Sequence, residues 1–132
     1  FELQKLGTTP IIVHPERNKE IQKDLNILYD FIQHGALAQV TATSYAGGFG
    51  DHVADISRQL VENRLVQVVA SDAHVLQGRN FVLSEALKQI ATDFGPEQAL
   101  EFESNAEDIL NGLSVTANGY RKIEKKKRFI FF

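Results

Sequence analysis

The sequence predicts an α/β fold in which parallel strands alternate with helices, and three observations carry that prediction. Two short apolar runs, Ile11–Val13 and residues 66–70, are β-branched and essentially continuous, as strands buried on both faces of a parallel sheet are. Between them, Ile21, Leu25, Leu28 and Ile32 recur at helical spacing. Glycines punctuate the pattern, and strand–helix alternation of this kind implies a parallel sheet or part of an α/β barrel.

Each element follows in order. After the first strand, Asn18 is placed to cap a helix with Glu20 in its first turn, and Gly35 ends that helix. Residues 36–43 read as a second strand centred on Leu37–Thr41. The loop Gly47-Gly48-Phe49-Gly50 follows, and Asp51 is suited to cap a helix carrying Val53, Ile56, Leu60 and Leu65. Residues 66–70 form the third strand. An irregular loop runs to Asn80, and Leu83, Leu87, Ile90 and Phe94 mark a third helix that stops at Gly95. Pro96 opens a short helix, and residues 105–111 suggest another before Gly112. Three strands cannot close a barrel. The sheet is therefore open, or its other strands belong to a part of the protein outside this sequence.

Length and composition bound the function. At 132 residues the chain is one domain by length and can bury roughly two-thirds of its unfolded surface. A hydrophobic content of 43% with 23% charged residues is that of a soluble globular protein. No apolar stretch approaches the ~20 residues of a membrane span. With no cysteine, disulfides and thiolate metal sites are excluded, so any metal is held by nitrogen and oxygen; this fits a cytoplasmic protein. Charge is uneven: residues 121–128 carry +5 and the rest of the chain −8. So acidic a body is a poor nucleic-acid surface. The expected division is a body over residues 1–115 and a basic, aromatic tail over 116–132, which ends in Phe129-Ile130-Phe131-Phe132. Such a tail suits an anionic membrane surface or a docking partner, and a loosely ordered terminus is the simpler alternative. The absence of methionine and the start at Phe1 give the expectation that this is the C-terminal piece of a longer protein.

Chemistry concentrates after the first and third strands. His14-Pro15-Glu16-Arg17 follows one, and Ser71-Asp72-Ala73-His74 follows the other. Parallel strands deliver both to the carboxyl edge, where α/β folds place their sites. His14, Asp72 and His74 are a nitrogen and oxygen donor set suited to Zn, Mn or Fe. Arg17 and Arg79 supply planar forks that pair bidentately with phosphate oxygens. Together they indicate a metal-dependent phosphohydrolase. The alternatives are a loop histidine at position 14, a turn cap at Asp72 and surface ion pairs for the arginines. Amides of the glycine loop could approach a phosphate, but the loop matches neither a P-loop nor a dinucleotide fingerprint, and a plain turn is the simpler reading. Phe49 reads as a loop anchor or as a platform for an aromatic substrate group. His34, in the last turn of the first helix, and His52, opening the second, read as bystanders.

These residues also carry a resemblance. Gly-x-x-Pro-Ile-Ile-Val-His-Pro-Glu-Arg-Asn, followed about 60 residues later by Ala-Ser-Asp-Ala-His-x4-Arg, resembles the CpsB/CapC family. These are bacterial tyrosine phosphatases of the polymerase-and-histidinol-phosphatase (PHP) superfamily. Residues 39–44 and the glycine loop resemble its middle segment, so the likeness covers about residues 5–112, without the tail. The resemblance implies the C-terminal portion of a distorted (β/α)7 TIM-like barrel with up to three metal ions, manganese first and iron, cobalt or zinc as alternatives. It implies His14, Asp72 and His74 as metal ligands, and Arg17 and Arg79 as the residues that bind and polarise phosphate. Hydrolysis would proceed by metal-activated hydroxide on phosphorus. The implied substrate is the phosphotyrosine-bearing tail of a bacterial tyrosine kinase that controls capsule or exopolysaccharide assembly.

The family also uses an N-terminal His-x-His and carboxylate ligands from earlier strands, which this sequence lacks, so the chain carries part of the metal shell. Two other readings stand beside the tyrosine phosphatase. One is a superfamily phosphoesterase acting on histidinol phosphate or a nucleotide. The other is a catalytically dead module that assembles with further chains through an open sheet edge.

Overall fold

Leu37–Thr41 forms β2, the middle strand of a parallel sheet whose order is β1-β2-β3, with β1 at Ile11–Val13 and β3 at Val68–Ala70. The computed structural model describes residues 7–71 and 79–124. Register pairs Ile11 with Leu37, Val13 with Gln39 and Thr41 with Ala70. A 3-10 turn (Pro15–Arg17), α1 (Lys19–Lys23) and α2 (Asn26–Gln33) connect β1 to β2. α3 (Ala42–Tyr45) and α4 (Asp51–Glu62) connect β2 to β3; α5 (Arg79–Phe94) and α6 (Pro96–Leu110) follow.

β2 is the strand that fits the both-faces-buried pattern. Ala38 and Val40 are fully buried, and Leu28 and Ile32 of α2, Leu60 and Val61 of α4, and Ala86 and Ile90 of α5 join the same core. Phe102 of α6 is buried in that core as well. β1 departs from the pattern. Ile12 packs on the core, whereas Ile11 is 37% and Val13 55% exposed. Among the described residues β1 pairs on one side only, and the face that Ile11 and Val13 share is only partly covered.

Local chemistry explains where the helices differ from expectation. Asn18 caps α1 as anticipated, its side chain accepting from the amides of Glu20 and Ile21. The helix then breaks, because Asp24 adopts an extended conformation and its carboxyl accepts from the Asn26 amide, restarting the chain as α2. The second strand ends at Thr41, two residues early, where α3 begins. Gly50 (φ 96°), with no side-chain cap, precedes α4, and Asp51 sits in the first turn. The expected pair of helices after Pro96 is one helix, because Asn105 spends its side chain on the Gln67 carbonyl instead of capping a new one. Gln67 precedes β3 yet continues the sheet: its amide donates to the Ala38 carbonyl, and its side-chain oxygen accepts from the Ala38 amide.

The described part of the tail lies against the body. Ile123 and Asn26 exchange two hydrogen bonds, the Arg121 amide donates to the Asn63 carbonyl, and the Tyr120 and Tyr29 rings meet at 5.7 Å between centroids. The aromatic end of the tail falls outside the described residues. No helix among the described residues is long and apolar enough to cross a membrane.

Tyr45 ties three helices together: its buried hydroxyl donates to Asp93 of α5 at 2.7 Å, and Arg58 of α4 approaches the same oxygen at 3.6 Å. Burial, then the bond to Asp93 and its charge, push the Tyr45 hydroxyl above the usual tyrosine range, with Arg58 partly opposing. A raised folded-state pKa means the native chain keeps this proton after the unfolded chain has lost it. The contribution is therefore complete below the ordinary tyrosine value of 10.0 and is lost as pH rises above it. In urea unfolding, Tyr45→Phe should cost about 1 kcal/mol at neutral pH. It should also flatten the loss of stability between pH 10 and 11, and an unchanged alkaline slope would show that the hydroxyl is not so held.

Candidate functional site

The carboxyl edge is built outward from β1. The His14 amide donates to the Gln39 carbonyl at 3.1 Å, extending the ladder one residue past the strand. The backbone then turns left-handed at His14 (φ 54°, ψ 43°), a conformation that costs an L-residue about 1 kcal/mol and tends to persist where function requires it. The turn leaves the ring exposed, with Nδ1 2.6 Å from the Thr41 hydroxyl at the end of β2. A histidine held at Nδ1 presents Nε2 outward, the arrangement that partners of metal-bound imidazoles enforce.

Beneath His14 lies Glu16, fully buried. Its Oε2 accepts from the Thr41 amide at 3.2 Å, and its carbonyl accepts from the Gln22 side chain at 2.8 Å. Thr41 is the N-cap of α3, and Ser44 occupies the third helical position, where a capping box would carry Glu or Gln. Glu16 supplies that carboxyl from 25 residues away. Its other oxygen, Oε1, and Ser44 Oγ are buried without a hydrogen-bond partner among the described residues.

Arg17 sits on the exposed side of the same turn, its guanidinium 4.3 Å from the centroid of the Phe49 ring. The loop carrying Phe49 is tightly wound. The Gly48 amide donates to the Thr43 carbonyl, and a Cβ at Gly48 would lie 2.5 Å from Thr43 Cγ2. The Gly47 and Gly50 amides likewise donate to the Ser44 and Gly47 carbonyls. Three of the loop's amides are therefore spent internally, so it is a turn and not a phosphate cradle.

β3 brings the second motif to this edge. Thr41 pairs with Ala70, so the chain leaves β3 at Ser71 beside the residue that holds His14. With neighbouring strands about 4.8 Å apart, the ends of β1 and β3 are separated by about 10 Å. Asp72 and His74 lie outside the described residues, and Arg79 is the first residue of α5. Among the described residues no three His, Asp or Glu side chains converge to hold a metal ion. The described part thus contributes one imidazole, His14, whose oriented ring fits such a role. His34 caps the end of α2 with Nδ1 2.6 Å from the Asp30 carbonyl, and His52 is exposed on α4. A groove of about 1550 Å³ lies elsewhere, between α1, α2, α4 and residues 121–124. Its four basic and four acidic side chains balance, so it has no electrostatic preference for phosphate.

Thr41 and Glu16 are the edge residues to which the sequence assigns no working role; Phe49, read there as a loop anchor or a platform for an aromatic substrate group, lies against the Arg17 guanidinium. Only Glu16 had a usable signal, as a carboxylate inside the motif itself; its helix partner is too distant in sequence for a capping pattern.

Comparison with known proteins identifies the family. Residues 1–111 match the family described as capsular polysaccharide synthesis, CpsB/CapC, and the chain belongs to that family. It is 39% identical over 132 residues to the tyrosine-protein phosphatase YwqE of Bacillus subtilis, covering 100% of this chain and 52% of the relative. That alignment extends through the tail. The tyrosine-protein phosphatase CpsB of Streptococcus agalactiae is 34% identical over 111 residues, covering 80% of this chain and 46% of the relative. A solved structure, from crystallography of YwqE of B. subtilis and CpsB of Streptococcus pneumoniae described as unique metal-dependent tyrosine phosphatases, superposes with a TM-score of 0.87. It shares 38% identity and covers 94% of this chain and 50% of its own. The chain spans about half the length of the curated relatives it matches.

If Glu16 holds the edge together, Glu16→Ala should lower stability by about 3 kcal/mol in urea unfolding, by stranding the Thr41 amide and opening a cavity. Glu16→Gln keeps an acceptor in place and should cost about 1 kcal/mol. Equal losses in the two variants would assign the effect to packing volume and not to the Thr41 bond.

Proposed function

We propose that this CpsB/CapC chain forms the C-terminal portion of a distorted (β/α)7 TIM-like PHP barrel over residues 1–115, with residues 116–132 as its tail. Its activity is hydrolysis of phosphotyrosine, dependent on a divalent metal, with manganese favoured over iron, cobalt or zinc. The substrate is the phosphotyrosine-bearing tail of a bacterial tyrosine kinase that governs capsule or exopolysaccharide assembly in the cytoplasm. The observation that carries the reading is the juxtaposition at one parallel edge of an oriented, exposed His14 with the exit of β3 toward Asp72 and His74.

His14, through Nε2, and the carboxylate and imidazole of Asp72 and His74 would hold the metal. A divalent ion there supplies Lewis-acid charge and lowers the pKa of a coordinated water. The chain's own groups do the rest. The Thr41 hydroxyl, hydrogen-bonded to Nδ1 of His14, holds the ring so that Nε2 is the nitrogen left to face a ligand. Arg17 and Arg79 would pair bidentately with the non-bridging phosphate oxygens through their planar guanidinium forks. As the bond to the tyrosine oxygen breaks, these fixed charges stabilise the electron density that gathers on the phosphoryl oxygens and need not reorganise. A cysteinyl-phosphate route is closed to a chain without cysteine.

Among the described residues β1 pairs on one side only and Ile11 and Val13 are partly exposed, which favours a second reading, an assembly module that buries this edge against another chain.

Phosphate release from a phosphotyrosine peptide in the presence of Mn²⁺ is expected to exceed release from histidinol phosphate, and chelation should abolish it. His14→Ala, Asp72→Ala and His74→Ala should each weaken metal binding at least about 100-fold while melting near the parent. Faster turnover of histidinol phosphate would transfer the chain to that sister activity. Absence of both turnover and bound metal, with self-association in light scattering, would establish the assembly module instead.

A further inference from the structure

Arg17 and Phe49 are exposed side chains of the edge that meet each other, the guanidinium lying 4.3 Å from the ring centroid. Neither lies in a core, and no ion pair engages Arg17 among the described residues. Both backbones, by contrast, are fixed. The Arg17 amide donates to the His14 carbonyl at 3.0 Å, next to the buried Glu16, and the Phe49 loop is closed by the Gly48–Thr43 and Gly50–Gly47 bonds. Phe49 remains 37% exposed, so one part of its ring is open to the Arg17 guanidinium and to solvent.

We propose that Phe49 is the positioning residue for Arg17, holding the guanidinium face against its ring so that the N–H fork is pre-aimed at a phosphate bound at the His14 end of the sheet. The inference rests on the reading of Arg17 as a phosphate-binding group. Stacking engages the delocalised face of the guanidinium through the negative face of the ring, and it leaves the in-plane donors free. A flexible arginine loses rotamer freedom when it grips an anion; one already stacked has lost much of it beforehand. Phe49 therefore acts through Arg17 and does not touch the reacting atoms. A leucine would fill similar space without a quadrupole, and a lysine at position 17 would keep the charge without a face to stack.

The test is a side-chain NMR titration of the full chain with inorganic phosphate, monitoring the Arg17 Nε–H and Cδ protons. In the parent, the ring current of Phe49 should shift these protons upfield, and phosphate should move them. Phe49→Leu should return the shifts to exposed-arginine positions and weaken phosphate binding about two- to fivefold, the range of an exposed cation–π contact. Phe49→Tyr should restore both, and Arg17→Lys should match Phe49→Leu in its phosphate affinity, which keeps the test decisive if the leucine variant folds poorly. Parental phosphate affinity in Phe49→Leu would overturn the role of Phe49 alone. A ring-current shift in the parent with no response to phosphate would overturn the phosphate-binding reading of Arg17, and the inference with it.

Discussion

The bond between the Glu16 carboxyl and the Thr41 amide is the constraint on which the rest of the edge depends. It joins the turn leaving β1 to the point where β2 becomes α3. It carries the contact between these segments, 25 residues apart, past the last ladder bond, which runs from the His14 amide to the Gln39 carbonyl. Burying a carboxyl with one oxygen unpartnered is expensive, and each unmet buried polar group costs about 1–3 kcal/mol. A core centred on Leu28, Val40, Leu60 and Ile90 offsets that cost, because fully burying each such aliphatic side chain contributes about 1.5–3 kcal/mol. The expensive group lies directly below His14, and Thr41 links them: its amide binds Glu16 and its hydroxyl binds His14. Rigidity at Glu16 therefore becomes orientation at the imidazole.

The same turn separates two kinds of side chain. Glu16 points inward and is buried, whereas His14 and Arg17, on either side, remain exposed. This alternation sends the acidic group into the fold and both nitrogen-bearing groups to solvent. An Arg17 paired with a neighbouring carboxylate would have its fork occupied; an Arg17 stacked on Phe49 does not. That distinction matters more to anion binding than net charge. The body is acidic as a whole, yet the charge an incoming phosphate meets is the local one, since distant surface charges are screened beyond about 8–10 Å.

Much of this arrangement is legible in the sequence, for identifiable reasons. The strands are recognisable because β-branched runs between amphipathic helices have few other interpretations, and the His14 motif stands out because it ends such a run. Asn18 is legible as a cap because capping is local. The departures are equally physical. Asp24 breaks a helix whose apolar spacing continues unbroken through Leu25, because a side-chain bond to the Asn26 amide competes with the helical ladder. Asn105 has the character of a cap but binds Gln67, 38 residues away, so α6 runs straight through it. Ile11 and Val13 have the composition of buried residues, yet burial depends on what lies opposite them, which composition does not encode. The role of Glu16 escaped for the same reason, since its partner is tertiary.

The register of the sheet explains why so few contacts suffice to organise the edge. Because Val13 pairs with Gln39 and Thr41 with Ala70, the exits of all three strands are set once β2 is placed. A slip of one residue would reverse which face each side chain of β2 addresses, sending the Thr41 hydroxyl away from His14 and putting Gln39 where Val40 packs in the core. The hydrophobic demand on Ala38 and Val40, both fully buried, forbids that slip. The chemistry of the edge is thus protected by residues that take no part in it. His14 and the exit toward Asp72 and His74 are held at their spacing by the packing of β2, and Glu16 then fixes the turn that the packing alone leaves free.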